Sequence, residues 1–124
     1  MRLKYTKTLK VAVSCIGLML SASVIAEPRT NPTTINNIRT LASGATLVTV
    51  QNRTLSNPGA GNFGVTECTN SSFVIAADGP ASNNLLATAL TAAASGSDVI
   101  VEISSNATSC GFGTEINSIF LVSQ

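Results

Sequence analysis

Histidine and tryptophan are absent from this sequence, and its single tyrosine, Tyr5, lies in an N-terminal segment unlike the rest. Without histidine, a zinc site loses its usual nitrogen ligand and general acid–base catalysis its commonest proton carrier. Charge is sparse too, at 10% of residues. The three lysines, Lys4, Lys7 and Lys10, all precede residue 11. From Glu27 onward the chain keeps Arg29, Arg39 and Arg53 against Glu27, Glu67, Asp78, Asp98, Glu102 and Glu115, a net charge of about −3. Nucleic acids and anionic membrane surfaces attract clustered Lys and Arg, so neither is expected as a partner.

What the N-terminus does contain is a secretory pattern. Arg2, Lys4, Lys7 and Lys10 form a basic region, and an apolar run follows from Val11 to Leu20. Val24 and Ala26 then occupy the −3 and −1 positions of a signal-peptidase site. Residues 1–26 therefore read as a signal peptide cleaved between Ala26 and Glu27. The uncharged run is short for a transmembrane helix, and no membrane span is expected after cleavage. Cys15 sits inside the apolar run, with Ala12 where a lipid-anchoring signal wants leucine, so lipidation is not expected. The expected localisation is secreted or periplasmic, with residues 27–124 forming a single domain.

Two cysteines remain beyond the leader, Cys68 and Cys110. In an oxidising compartment, a pair in a small domain is expected to form one disulfide. Closing a loop of that length stabilises the fold by about 4 kcal/mol on the chain-entropy argument. Two cysteines and no histidine cannot furnish a structural zinc site, so no metal and no cofactor are expected.

Along the chain, "EPRTNPT" reads as an extended lead-in. "TTINNIRT" and "ATLVTVQN", joined at Ser43-Gly44, predict a β-hairpin over 34–51, with a bulge or twist in its first strand. "SFVIAA" predicts a third strand. "SNNLLATALTAAAS" predicts a helix over 82–95, with Ser82 as N-cap and Gly96 at its C-terminal end. Leu86, Leu90 and Ala93 supply its buried stripe, widened by Leu85 and Ala89. "SDVIVEIS" predicts a fourth strand, with Val99, Val101 and Ile103 on one face and Ile100 and Glu102 on the other. A loop carrying Cys110, Gly111 and Gly113 then leads to a fifth strand in "EINSIFLVSQ". Mainly β structure, with five strands and one helix between the third and fourth, matches the element order of an OB-like Greek-key barrel.

One motif invites another reading. Gly59, Gly61 and Gly64 have the G-x-G-x-x-G spacing of a dinucleotide-binding turn. That turn needs a buried strand before it and a helix opening on the third glycine. Here Asn57-Pro58 precedes the glycines and the β-rich "VTECTNSSFVIAAD" follows, so the match is coincidental.

"LLATALTAAASGSDVIVEIS", a cysteine loop and "INSIFLV" together resemble the C-terminal half of the B subunits of subtilase-cytotoxin-type toxins. The chain is similar, more broadly, to small exported bacterial proteins related to them. The shared elements are the 34–51 hairpin, Cys68, the helix to Ser95-Gly96, Val99–Ile103, Cys110, and Ile116, Ile119 and Leu121. The resemblance covers nearly all of residues 27–124. It implies an OB-like fold, assembly into a homo-oligomer, recognition of cell-surface glycans, and an exported catalytic subunit as a further partner.

The residues themselves argue against catalysis. With no histidine and no lysine beyond the leader, nucleophile and base would have to come from serine, threonine and scattered acids. Asp98 and Glu102 read as a solvated strand face. Asn52, Asn70 and Asn106 head N-x-S/T sequons that read as loop solvation. The aromatic rings beyond the leader are Phe63, Phe73, Phe112 and Phe120. Phe73 and Phe120 are expected in the core; Phe63 and Phe112 lie in glycine-rich loops, where packing within the loop is favoured over exposure for binding. No residue is assigned to a ligand. The expectation is an exported, non-catalytic binding module for cell-surface glycans, and its rival is a pilin-like surface-assembly subunit.

Overall fold

A computed structural model describes residues 27–56 and 65–123. Residues 1–26, expected to be a signal peptide, and the glycine-rich stretch with Gly59, Gly61, Phe63 and Gly64 lie outside the described residues. β1 (Ile35–Thr40), β2 (Thr46–Val50) and β3 (Ser72–Ile75) precede helix α1 (Ser82–Ser95), which is followed by β4 (Val99–Ile103) and β5 (Ile116–Leu121). The five strands form two antiparallel sheets, β1-β2-β3 and β4-β5. Both are open, and no closed barrel is formed among the described residues.

Period-2 patterning builds the core. Val48 and Val50 of β2, Phe73 and Ile75 of β3, and Val99, Val101 and Ile103 of β4 are all buried in one cluster. Ile35 and Ile38 of β1 reach it because the register slips between Ile35 and Asn37, which turns both isoleucines inward. The expected bulge is there.

The lead-in is extended and also bonded. Arg29 and Thr33 form isolated antiparallel bridges with Glu102 and Val99. The Thr30 N–H donates to the Val101 carbonyl at 2.9 Å, and the Val101 N–H returns a bond to Thr30 Oγ1 at 3.0 Å. Thr30 is thereby satisfied although fully buried. On the other side, one parallel bridge joins Val74 of β3 to Glu115 just before β5.

The helix has the expected bounds but a different buried face. Ser82, Ala89 and Ala92 are buried, with Leu85 and Leu86 packed against the core, while Leu90 is 50% exposed and Ala93 lies in solvent. Moving a stripe by one position turns it about 100° around a helix. Leu85, Leu86, Ala89, Leu90, Ala92 and Ala93 encircle enough of this one that periodicity alone cannot choose the face. Packing against β1 and β5 selects the alanines, whose small side chains admit close approach of helix and sheet. Ser82 is not the N-cap either. Ala81 occupies that position, with no side-chain cap, and Ser82 is the first helical residue. The helix ends at Gly96 in a left-handed conformation, as expected.

Leu90→Ala should therefore change stability by less than about 1 kcal/mol, because the lost surface contact is offset by alanine's higher helix propensity. Urea unfolding of the two proteins measures this, and a loss of several kcal/mol would put Leu90 in an interface.

Candidate functional site

The residues that point away from the core on β1, β2 and β3 form a polar tile. Antiparallel register sets Asn37 opposite Thr49 and Thr49 opposite Ser72, which makes one cross-strand row. Arg39 opposite Leu47 and Leu47 opposite Val74 make the next. Within the first row the Thr49 and Ser72 hydroxyls are hydrogen-bonded at 2.9 Å. Arg39, Asn37, Leu47, Thr49 and Ser72 line a shallow groove of about 240 Å³, closed on one side by Phe112. Leu47 is buried although its side chain lies on this outer face, and it forms the apolar floor.

Phe112 corrects the expectation that its ring packs inside the loop: it is 67% exposed. The cause is local. Gly111-Phe112-Gly113-Thr114 is a β-turn closed by the Thr114 N–H donating to the Gly111 carbonyl at 3.0 Å. Gly113 has φ +84°, which the third position of a type II turn requires and glycine supplies without strain. Phe112 takes the second position, at the tip, where a side chain projects outward. Phe120, also expected in the core, is 45% exposed. It pairs with Ile100 on the outer face of β4-β5, opposite in phase to Val99 and Val101.

The cysteines are joined. The Cys68–Cys110 disulfide brings their Cα atoms to 4.9 Å, and both cysteines are buried in the core cluster. The bond ties the segment before β3 to the loop before β5.

The remaining polar candidates are structural. Arg53 pairs with Glu67 and donates to the Thr69 carbonyl at 3.1 Å. The Arg39 guanidinium, by contrast, has no hydrogen bond or ion pair among the described residues. Glu102 accepts from the Ser118 hydroxyl at 2.9 Å. Asp98, four strand positions away, lies about 13 Å from it by strand geometry, so the two carboxylates make no acid–base pair. Asn52 and Asn70 turn their side-chain oxygens back to the N–H groups of Thr54 and Ser72, both at 3.0 Å, and shape their own loops. Among the described residues no three or more Cys, Asp or Glu converge as metal ligands.

A second cavity of about 180 Å³ lies between the β3–α1 turn and the start of β5, lined by Gly79, Pro80, Leu85, Glu115, Ile116 and Asn117. It offers no exposed ring and no arginine, so the first groove is the better candidate. A sequence signal for that groove existed in "CGFGT", where a glycine two residues after another leaves the phenylalanine between them at a turn tip. Comparison with known proteins adds nothing to this geometry: no family model, no curated protein and no solved structure matches the chain.

Proposed function

We propose that this chain is an exported, non-catalytic binding module of OB-like architecture that recognises cell-surface glycans like a toxin B subunit. The observation that carries the reading is Phe112, presented in solvent beside a groove of amide, hydroxyl and guanidinium groups. A sugar ring has one apolar face, which packs on an aromatic ring, and a periphery of hydroxyls that need both donors and acceptors. Asn37, Thr49 and Ser72 supply both, and Arg39 supplies donors only.

The location supports the same reading. OB-type barrels bind oligosaccharides on the face of strands 2 and 3 and with the loop between strands 4 and 5. Here the groove crosses the outer face of β1, β2 and β3, centred on β2, and Phe112 comes from the β4–β5 loop. The isolated bridges are consistent with that architecture. Val74–Glu115 would join β3 to β5, and Thr33–Val99 and Arg29–Glu102 would join β4 back to the lead-in of β1. The helix packed under the strands has no counterpart need in a pilin-like sandwich, which disfavours the surface-assembly alternative.

Single grooves this shallow bind weakly, and a homo-oligomer compensates by presenting several at once. Phe120 and Leu121 provide exposed apolar surface for such assembly, and an exported catalytic chain is a further partner of the same reading. The test is a glycan array probed with the processed protein, its mass established by light scattering on the same sample. Phe112→Ala should reduce binding at least about tenfold, the equivalent of about 1.4 kcal/mol. An array on which nothing binds, or on which Phe112→Ala binds as well as the parent, overturns the proposal.

A further inference from the structure

We infer that Gly111 and the Cys68–Cys110 disulfide are positioning residues for Phe112, so that the groove's aromatic wall is held in place before any ligand arrives. This rests on reading the groove as a binding site, and it adds how that site is kept in shape. Phe112 is exposed, and an exposed ring between two glycines would ordinarily sample many positions. The backbone on both sides of it is tethered to one segment, 68–74.

On the N-terminal side the disulfide fixes Cys110 to Cys68. The Cys110 carbonyl also accepts from both the N–H and the hydroxyl of Thr69, at 3.2 and 2.8 Å. On the C-terminal side the Thr114 carbonyl accepts the Val74 N–H at 2.9 Å, and the Thr114 hydroxyl reaches back to the Ser109 carbonyl at 3.4 Å. Between the tethers, Gly111 lies directly on Asn70. A Cβ added to Gly111 would stand 2.6 Å from both the backbone nitrogen and the oxygen of Asn70, and its φ of +112° disfavours any side chain. Only glycine lets the turn sit this close to the chain entering β3. Because Ser72, two residues on, belongs to the groove wall, the same short segment sets both the wall and the ring that faces it.

The physical gain is preorganisation. A loop ordered in advance loses less conformational freedom on binding, which matters most for a shallow site with few contacts. The disulfide therefore has two roles, filling the core with buried sulfur and fixing the loop that carries Phe112.

The absence of tryptophan makes the test direct, because Phe112→Trp introduces the only indole of the chain. Time-resolved anisotropy then reports the motion of that side chain alone. In the oxidised Phe112→Trp protein the indole should decay with the overall tumbling of the domain, over nanoseconds. Adding Gly111→Ala should transfer about half or more of the amplitude to a faster local component. Gly113→Ala is the second variant, because nothing lies within 4 Å of its added Cβ and only its φ of +84° strains the turn. It perturbs the tip while leaving Asn70 and the core untouched, and should show the same fast component with only the small drop in melting temperature that the strained φ causes. An indole already free in the oxidised parent overturns the inference. So does an unchanged slow decay in a folded Gly111→Ala or Gly113→Ala protein. A held indole together with an empty glycan array would refute the binding reading and leave the positioning intact.

Discussion

Replacing Phe73 by alanine should lower the unfolding free energy by about 3–5 kcal/mol. Phe73 is the largest side chain in the core and is 0% exposed. It stands opposite Val48 in the β2–β3 ladder, within the cluster that Ile75, Val99 and Val101 complete. Its removal leaves a cavity whose lining is anchored in two different sheets, so neither can close it without breaking its own ladder. A typical domain is stable by only about 5–15 kcal/mol, so the loss takes a large part of the margin. Denaturant unfolding of the oxidised protein measures it. A loss under about 1 kcal/mol would mean that the two sheets do not share this core.

Removing the disulfide should be nearly as costly. The double substitution Cys68→Ala, Cys110→Ala should destabilise by about 4 kcal/mol, within the usual range of about 2–5 kcal/mol. The bond closes a segment spanning a sequence separation of 42. Releasing it restores that freedom to the unfolded chain, and the missing sulfurs add a packing loss, since both cysteines belong to the core cluster. Comparing the oxidised parent with the double variant in guanidinium gives the value directly, and equal midpoints would refute it. The effects of Phe73→Ala and of the cysteine pair should not add, because the three residues share one cluster. A double-mutant cycle reads that coupling.

The local signals in this chain were strong where period and turn chemistry coincide. Alternation in "SDVIVEIS" specified both the strand and its buried face, as the burial of Val99, Val101 and Ile103 bears out. The hairpin over β1 and β2 followed from β-branched runs around a Ser-Gly turn, and the Cys68–Cys110 pairing from there being just two cysteines beyond residue 26 to join. Helix α1 was legible as an element, but its face was not. A helix with leucine or alanine on most sides packs by whichever stripe fits the sheet, and the close approach available here suits Ala89 and Ala92 over Leu90.

The candidate site was the least legible part, for a related reason. Asn37, Arg39, Leu47, Thr49, Ser72 and Phe112 come from three strands and a distant loop, and each alone is an ordinary surface residue. The sequence by itself determined the element order, the inward face of β4 and the covalent link, because these depend on neighbours one to four positions away or on a unique pair. Only the tertiary structure decided which face of the helix is buried, that Phe120 turns outward, and that Phe112 lines the groove on the outer face of β1, β2 and β3. Those outcomes depend on strand register and on the contact of Gly111 with Asn70, which residues far apart along the chain set jointly.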